Sequence, residues 1–122
     1  MATFEDVRRL ASELPEVTET TSYGTPAMAV RRKSFCRLWG EREHRRDGVE
    51  DTEVLVVFCD ADEKGALIEV SGGVLFNTPH YAGYGAMLIR LADVDLDDLA
   101  DYLEDSYRLK APATLRRALD AR

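Results

Sequence analysis

Apolar residues recur at helical spacing near both ends of the chain. The first set comprises Val7, Leu10, Ala11 and Leu14, and the second comprises Leu96, Leu99, Leu103 and Tyr107. Residues three and four apart share one face of a helix, so each set predicts an amphipathic helix with a buried stripe. Pro15 and Pro112 end these helices because the residue before a proline avoids the helical conformation. Leu115 and Leu119 then predict a short final helix.

Segments typical of strands fill the middle of the chain. We predict strands at residues 23–30, 35–39, 54–59, 74–76 and 86–91, with a tight basic turn between the first two. A short helix that begins after Asp60 and runs through Glu69 separates the third and fourth strands. The polar residues 16–21 are predicted to connect the first helix to the sheet. Residues 40–52, from Gly40 to Thr52, are almost wholly polar and predict a mobile loop.

This order of elements predicts an α+β fold: a single compact domain with a largely antiparallel sheet and helices packed on one face. The chain has 122 residues, 45% of them apolar and 32% charged, with a formal net charge of −7. A chain of this length supports one hydrophobic core, so residues 1–122 are interpreted as one domain.

The sequence also narrows the expected location. It contains no apolar run of the ~20 residues that a membrane helix needs, and its N-terminus lacks a secretory signal pattern. Two cysteines are too few for a disulfide scaffold. We therefore expect a cytoplasmic protein with no membrane partner, while the oligomeric state stays open.

The residue patterns that usually carry catalysis are missing. The two histidines, His44 and His80, belong to no helical metal motif, and no glycine-rich phosphate or dinucleotide loop is present. Cys36 and Cys59 are interpreted as core residues, the alternative being a redox pair or half of a metal site. We therefore expect no catalytic residue, no metal and no cofactor, and interpret the chain as a non-enzymatic binding module.

Positive charge is concentrated between residues 31 and 46. This segment contains seven of the 16 basic residues, whereas residues 93–105 contain seven acids and no base. Contacts from arginine and lysine to phosphate supply most of the non-specific affinity for nucleic acid. The candidate nucleic-acid-binding residues are Arg31, Arg32, Lys33, Arg37, Arg45 and Arg46. In the alternative interpretation these charges only keep a sheet edge soluble.

A second candidate site lies in the turn-rich segment NTPHYAGYG. Its ring side chains are His80, Tyr81 and Tyr84, which a proline and two glycines hold close together. Such rings can line a ligand pocket or stack on a planar molecule. Alternatively, the same rings cover the edge of the sheet.

Over nearly its whole length the chain resembles the MmcQ/YjbR family of small bacterial proteins. The resemblance is carried by the order and spacing of TFEDVRRLASELPEVTE, SYGTPAMAV, KSFCRL, NTPHYAGYG, MLIRLADVD and LEDSYRLKAP. It implies an α+β fold similar to that of CyaY/frataxin-like and secretion-chaperone-like proteins. It also implies DNA binding through a double-wing arrangement of β-hairpins.

This chain departs from the family pattern at three places. Arg31-Arg32 replaces a glycine-containing turn, the loop at residues 40–52 is long, and Gly85-Ala86 follows Tyr84 where relatives have proline and a bulky residue. The leading hypothesis is weak, salt-sensitive DNA binding by the basic hairpin, although the net charge of −7 opposes it. The alternatives are an adaptor that docks an acidic protein surface and a small-ligand pocket around His80, Tyr81 and Tyr84.

Overall fold

Six strands form one antiparallel sheet in the computed structural model, which describes all 122 residues. The strands are β1 (Val17–Ser22), β2 (Thr25–Val30), β3 (Lys33–Leu38), β4 (Val54–Phe58), β5 (Leu75–Phe76) and β6 (Ala86–Arg90). Their order across the sheet is β1-β2-β3-β4-β6-β5. Two-residue turns connect β1 to β2 and β2 to β3, so these three strands form a meander.

Five helices complete the domain. They are α1 (Phe4–Ala11), α2 (Glu41–Asp47), α3 (Ala61–Val70), α4 (Leu96–Lys110) and α5 (Ala113–Asp120). Residues of α1, α3, α4 and α5 pack on one face of the sheet, whereas α2 and a short 3-10 turn (Pro79–Tyr81) lie over the opposite face. Each helix falls short of the length and apolar content that a membrane crossing requires. The predicted fold, a compact α+β domain with an antiparallel sheet, is confirmed.

The larger core lies between the sheet and the four helices that share its face. It contains 22 buried residues, among them Leu99, Leu103 and Tyr107 of α4. Ser106 ties α4 to the sheet, because its hydroxyl donates to the carbonyl of Phe35 and accepts the Phe58 backbone N–H at 2.8 Å. This hydrogen bonding satisfies the serine, which is fully buried.

The opposite face of the sheet has a smaller core of six buried residues. These are Trp39, Val54, Val56, Tyr81, Ala86 and Leu88. Along β4, Val54 and Val56 face this smaller core while Leu55 and Val57 face the larger one. The continuous apolar run of β4 is therefore explained by burial on both faces.

Four local predictions need correction. The polar residues 17–22 form β1, because pairing with β2 satisfies a strand that has little apolar surface of its own. Residues 41–47, predicted to be loop, form α2. Leu96 is 39% exposed and lies outside the buried stripe of α4. The alternation of side chains along residues 35–39 predicts that Phe35 and Cys36 lie on opposite faces, but the β2–β3 register shifts beside Phe35 and both residues join the larger core.

Candidate functional site: a cationic cleft

A cleft of about 1040 Å³ opens on the side of the sheet that carries α2. Arg37 of β3, Val56 and Phe58 of β4 and Ala86 of β6 contribute to its lining from the sheet. The remaining lining comes from α2, the segment 80–85, the β1–β2 turn and the end of α4. The cleft is therefore built where several elements meet over one end of the sheet.

A hydrogen-bonded network surrounds the base of the cleft. The Arg37 guanidinium donates from Nη1 and Nη2 to the two carboxylate oxygens of Glu43, at 2.6 and 2.7 Å. The Tyr81 hydroxyl donates to Glu43 and accepts from the Arg37 guanidinium and from Trp39 Nε1, each at 3.3 Å. The Arg37 and Glu43 side chains are only 13% and 17% exposed, so solvent screens this bidentate pair little.

The surroundings of Glu43 favour its ionised form. Burial raises the pKa of this carboxyl, but hydrogen bonds from Arg37 and from the Gly40 backbone N–H outweigh burial and hold the pKa below its usual range. The hydrogen bonds to Glu43 in turn raise the pKa of Arg37. Both groups therefore stay charged at neutral pH, and the network positions α2 on the sheet.

Contacts at both ends of the highly polar α2 explain why this helix forms. The Gly40 N–H, which precedes the helix, donates to Glu43 Oε1 at 3.0 Å. His44 packs edge-to-face on Trp39, with ring centroids 5.2 Å apart, and its Nδ1 lies 2.6 Å from the Val49 carbonyl. Gly48 ends the helix with a φ of +69°, a conformation that glycine adopts easily.

The wall opposite α2 is held by a buried lysine. Lys64 of α3 is 6% exposed, and its ammonium donates to the carbonyls of Tyr81 and Tyr84 at 2.7 and 3.1 Å. Burial lowers the pKa of this lysine. Gly85 continues the wall so close to β4 that a Cβ would lie 2.8 Å from the Cys59 carbonyl oxygen. Glycine is therefore required there.

Of the three predicted ring residues, one covers the sheet and two line a pocket. Tyr81 is buried in the smaller core and covers the sheet, with its hydroxyl in the network. His80 and Tyr84 are exposed and line the cleft. The structure thus brings all three to one wall, where Tyr81 supports the wall and the other two present their rings.

The cleft is cationic although the protein is acidic. Its lining includes the cations Arg37, Arg42, Arg46 and Lys110 against the carboxylates of Glu41 and Glu43. Neighbouring arginines of α2 pair with carboxylates, Arg45 at 3.8 Å and Arg46 at 2.8 Å. Arg42 is exposed and has no such partner. An excess of positive charge in a concave site attracts anions, so the cleft favours them.

The six predicted nucleic-acid-binding residues do not form one patch. Arg31, Arg32 and Lys33 lie at the β2–β3 turn, whereas Arg37, Arg45 and Arg46 lie at the other end of β3 or on α2. Along β3, Lys33 and Arg37 are separated by four residues, or about 13 Å. Arg37 is directed into the cleft network, which removes it from any basic wing.

The turn itself has an unusual backbone. Arg31 and Arg32 have φ values of +49° and +70°, which suit a two-residue hairpin turn but are normally occupied by asparagine and glycine. The Arg31 guanidinium pairs with Glu16 at 2.7 and 3.0 Å. Arg32 and Lys33 are exposed and have no carboxylate partner. The turn therefore presents two unpaired cations.

The cysteines lie apart from this chemistry. Cys36 is fully buried, which raises its pKa to about 12. Cys59 is partly buried, and burial raises the pKa of its thiol as well. Both are free thiols. No group of three or more histidine, cysteine, aspartate or glutamate side chains is arranged to hold a metal ion.

Several residues of the cleft escaped sequence reasoning. Tyr23, Glu43, Lys64 and Lys110 were not predicted as site residues, and Arg42 was recognised only as one charge among seven. A usable signal existed for Glu43, since a helix-capping carboxylate often lies three residues after the cap position occupied by Gly40. Nothing in the local sequence pairs Lys64 with carbonyls 17 and 20 residues away.

Comparison with known proteins agrees with this architecture. The crystal structure of Deinococcus radiodurans protein DR2400, with the family-model domain DUF419, has a TM-score of 0.69 to this chain at 21% sequence identity. The match covers 98% of this chain and 89% of that chain. At this identity the likeness establishes a shared fold.

Sequence comparison identifies closer relatives. The uncharacterised proteins Mb2600 of Mycobacterium bovis and Rv2570 of Mycobacterium tuberculosis are each 32% identical over 125 residues. These matches cover 97% of this chain and 95% of each relative. The YjbR family profile matches residues 12–109. A profile match over most of the chain, together with relatives that align over nearly their full length, shows that this protein belongs to the YjbR family.

Proposed function

We propose that this protein is a non-enzymatic binding module whose cleft takes a small anion with a planar apolar part. The observation that carries the proposal is the coincidence, in one cleft, of unpaired positive charge with exposed rings. Arg42 supplies the clearest unpaired cation, and Tyr84, 63% exposed, supplies a ring face. Pockets that combine aromatic lining with a few convergent polar groups are the usual sites of small-molecule binding.

The internal arrangement of the cleft supports binding rather than catalysis. Arg37 and Glu43 neutralise each other, and the Tyr81 hydroxyl is engaged by both. These groups therefore stiffen the base of the cleft, which leaves recognition to the exposed side chains around it. A preformed site of this kind lowers the ordering cost of binding.

An aromatic anion tests the proposal directly. Anilinonaphthalenesulfonate carries a planar ring system and one sulfonate, and its fluorescence rises on binding. We expect Arg42→Gln to weaken dye binding about tenfold, because the variant removes a charge-assisted hydrogen bond. Arg45→Gln is the matched control, since Arg45 lies on the same helix but outside the cleft. Equal dye affinity in both variants and the wild type would overturn the assignment of the cleft.

The β2–β3 turn carries a second candidate function, weak binding to duplex DNA. The favouring observation is that Arg32 and Lys33 project without carboxylate partners from a turn whose arginine backbone is strained. Against a net charge of −7, we expect dissociation constants of roughly 10⁻⁴ to 10⁻⁶ M that rise steeply with salt. The same cations suit an acidic protein surface, the adaptor hypothesis, whose binding would saturate with one partner.

Fluorescence anisotropy with two unrelated duplexes tests the DNA function. Replacing Arg31, Arg32 and Lys33 with alanine should weaken binding to both duplexes equally, because phosphate contacts carry no sequence information. The slope of log affinity against log salt should become shallower by up to about 0.9 for each phosphate that the protein no longer neutralises. Absence of wild-type binding at low salt, or unchanged binding in the triple variant, would contradict a role for this turn.

A further inference from the structure

Two tyrosines beside the cleft present ring faces that the fold does not use. Tyr84 is 63% exposed and Tyr23 is 92% exposed, and both line the cleft. Burying such rings would stabilise a complex, whereas leaving them in water contributes little to folding. Exposed aromatic faces beside positive charge are the arrangement on which proteins stack nucleobases.

The backbone fixes the position of Tyr23. With Gly24 it forms the two-residue β1–β2 turn, and its φ of +54° is rare for a bulky residue. The Arg37 guanidinium lies 5.2 Å from the centroid of its ring. The ring nevertheless stays 92% exposed and is open to a ligand. Strain at an exposed position of a binding cleft is typical of a recognition site.

The cations of the cleft suit a phosphate. Arg42 offers a planar guanidinium without a carboxylate partner, and this group matches phosphate oxygens in bidentate geometry. The Lys110 ammonium lies 3.9 Å from the centroid of the Phe58 ring, also in the cleft lining. The ring attracts the ammonium without neutralising its charge. Two cations without acidic partners correspond in charge to one phosphate monoester dianion.

Size and overall charge restrict the ligand further. A volume of about 1040 Å³ exceeds what one ring and one phosphate fill, so one or two nucleotides fit. The net charge of −7 repels a long polyanion wherever it leaves the cleft. Both observations favour a mononucleotide or dinucleotide over an extended strand.

We propose that the ligand of the cleft is a nucleotide, whose base stacks on Tyr84 or Tyr23 and whose phosphate is bound by Arg42 and Lys110. This inference rests on the proposed function, since it names the chemical class of the small anion. The same chemistry is available from a free nucleotide and from an unpaired nucleotide of a single strand, and the experiment separates these two sources.

Displacement of bound anilinonaphthalenesulfonate provides the test, with AMP, adenosine, inorganic phosphate and a single-stranded deoxyadenylate decamer as competitors. We expect AMP to compete at least about tenfold better than adenosine or phosphate alone, because the site takes both parts. Arg42→Gln should weaken the binding of AMP and leave the binding of adenosine unchanged. Tyr84→Ala should weaken the binding of AMP and of adenosine and leave the binding of phosphate unchanged. Arg45→Gln should change none of them.

The possible outcomes are distinct. If the dye binds the cleft but millimolar AMP neither displaces it nor changes Trp39 fluorescence, the nucleotide inference is wrong and the small-anion function stands. If dye binding is insensitive to Arg42→Gln, the proposed function itself fails. A decamer that competes better per nucleotide than AMP identifies an unpaired strand as the source, and one that competes equally or worse identifies the free nucleotide.

Discussion

One face of the sheet carries 22 buried residues under four helices, whereas the other carries six beside a network of charged and hydroxyl groups. The large face is held by apolar packing, to which α4 contributes Leu99, Leu103 and Tyr107. The small face combines its buried apolar residues with the hydrogen bonds of Arg37, Glu43 and Tyr81.

The two faces differ in what they contribute to stability and in what they leave accessible to solvent. The free energy gained from apolar burial rises with the area buried, so the larger core supplies most of the folding free energy. Hydrogen-bonded charges are directional and leave neighbouring side chains accessible, so the smaller core can support a cleft. This contrast predicts that substitutions on the two faces will change different observables.

The largest effect is expected in the larger core. Leu103 is 1% exposed, and Leu103→Ala should lower the free energy of unfolding by about 2–5 kcal/mol through reduced burial and a residual cavity. Asp101, exposed on the same helix, provides the control, and Asp101→Ala should change stability by less than about 0.5 kcal/mol. Urea midpoints measure both, and equal midpoints would show that the buried face of α4 is assigned wrongly.

An intermediate effect is expected where the ion pair anchors α2. Glu43→Gln removes the charge that both Arg37 nitrogens contact, and should cost about 1.5–3 kcal/mol at neutral pH. Glu41 lies on the same helix, but its side chain is 94% exposed and 3.8 Å from Arg45. Glu41→Gln should therefore cost less than about 0.5 kcal/mol. A similar loss in both variants would mean that burial of the pair is unimportant.

The pH dependence of this pair has a definite sign. Because the folded state holds the pKa of Glu43 below its value in the unfolded chain, ionised Glu43 contributes stability above the unfolded pKa of about 4.3. That contribution is lost as the pH falls through the folded pKa. The difference in unfolding free energy between wild type and Glu43→Gln should therefore be constant from pH 6 to 8 (roughly, as a working range) and shrink below about pH 4. A constant difference into acid would contradict this.

The sequence predicted the larger face better than the smaller one. Helical periodicity identified α1, α4 and α5, since apolar spacing is a direct record of which side is buried. Leu96 was misassigned because it has the right spacing but belongs to the first turn of α4, where it remains 39% exposed. The polar strand β1 left no apolar pattern, because it pairs along one edge only and lies at the margin of the sheet.

The cleft was largely hidden for a different reason. Its residues come from segments far apart in sequence, and polar patterns do not reveal which charges will pair. Arg37 was grouped with the basic hairpin by proximity in sequence, whereas the pairing of β3 with β4 places it opposite Val56, on the cleft face. Glu43 then neutralises it. The ring segment was recognisable because three aromatic side chains lie within five positions, although the separate role of Tyr81 was not.

The smallest effect separates the two faces most sharply, because each has a buried tyrosine whose hydroxyl is hydrogen-bonded. The Tyr107 hydroxyl donates to the Pro15 carbonyl at 2.8 Å beside the larger core, and the Tyr81 hydroxyl holds Trp39 and Glu43 at 3.3 Å on the smaller one. Each phenylalanine variant should lose about 0.5–1.5 kcal/mol of stability. Their fluorescence spectra should differ, because Trp39 is the only tryptophan of the chain and only the Tyr81 hydroxyl contacts it.

Tyr81→Phe removes the acceptor of the indole N–H and should shift Trp39 emission, whereas Tyr107→Phe should leave the emission unchanged. Fluorescence of the two folded variants at matched concentration measures this. Because both variants remove one hydroxyl and keep the ring, a difference in emission reports the local network and not a general loosening. Identical emission from both variants would show that the Tyr81 hydroxyl does not position Trp39, and that the Arg37–Glu43 pair and the apolar contacts of the smaller core hold this face without it.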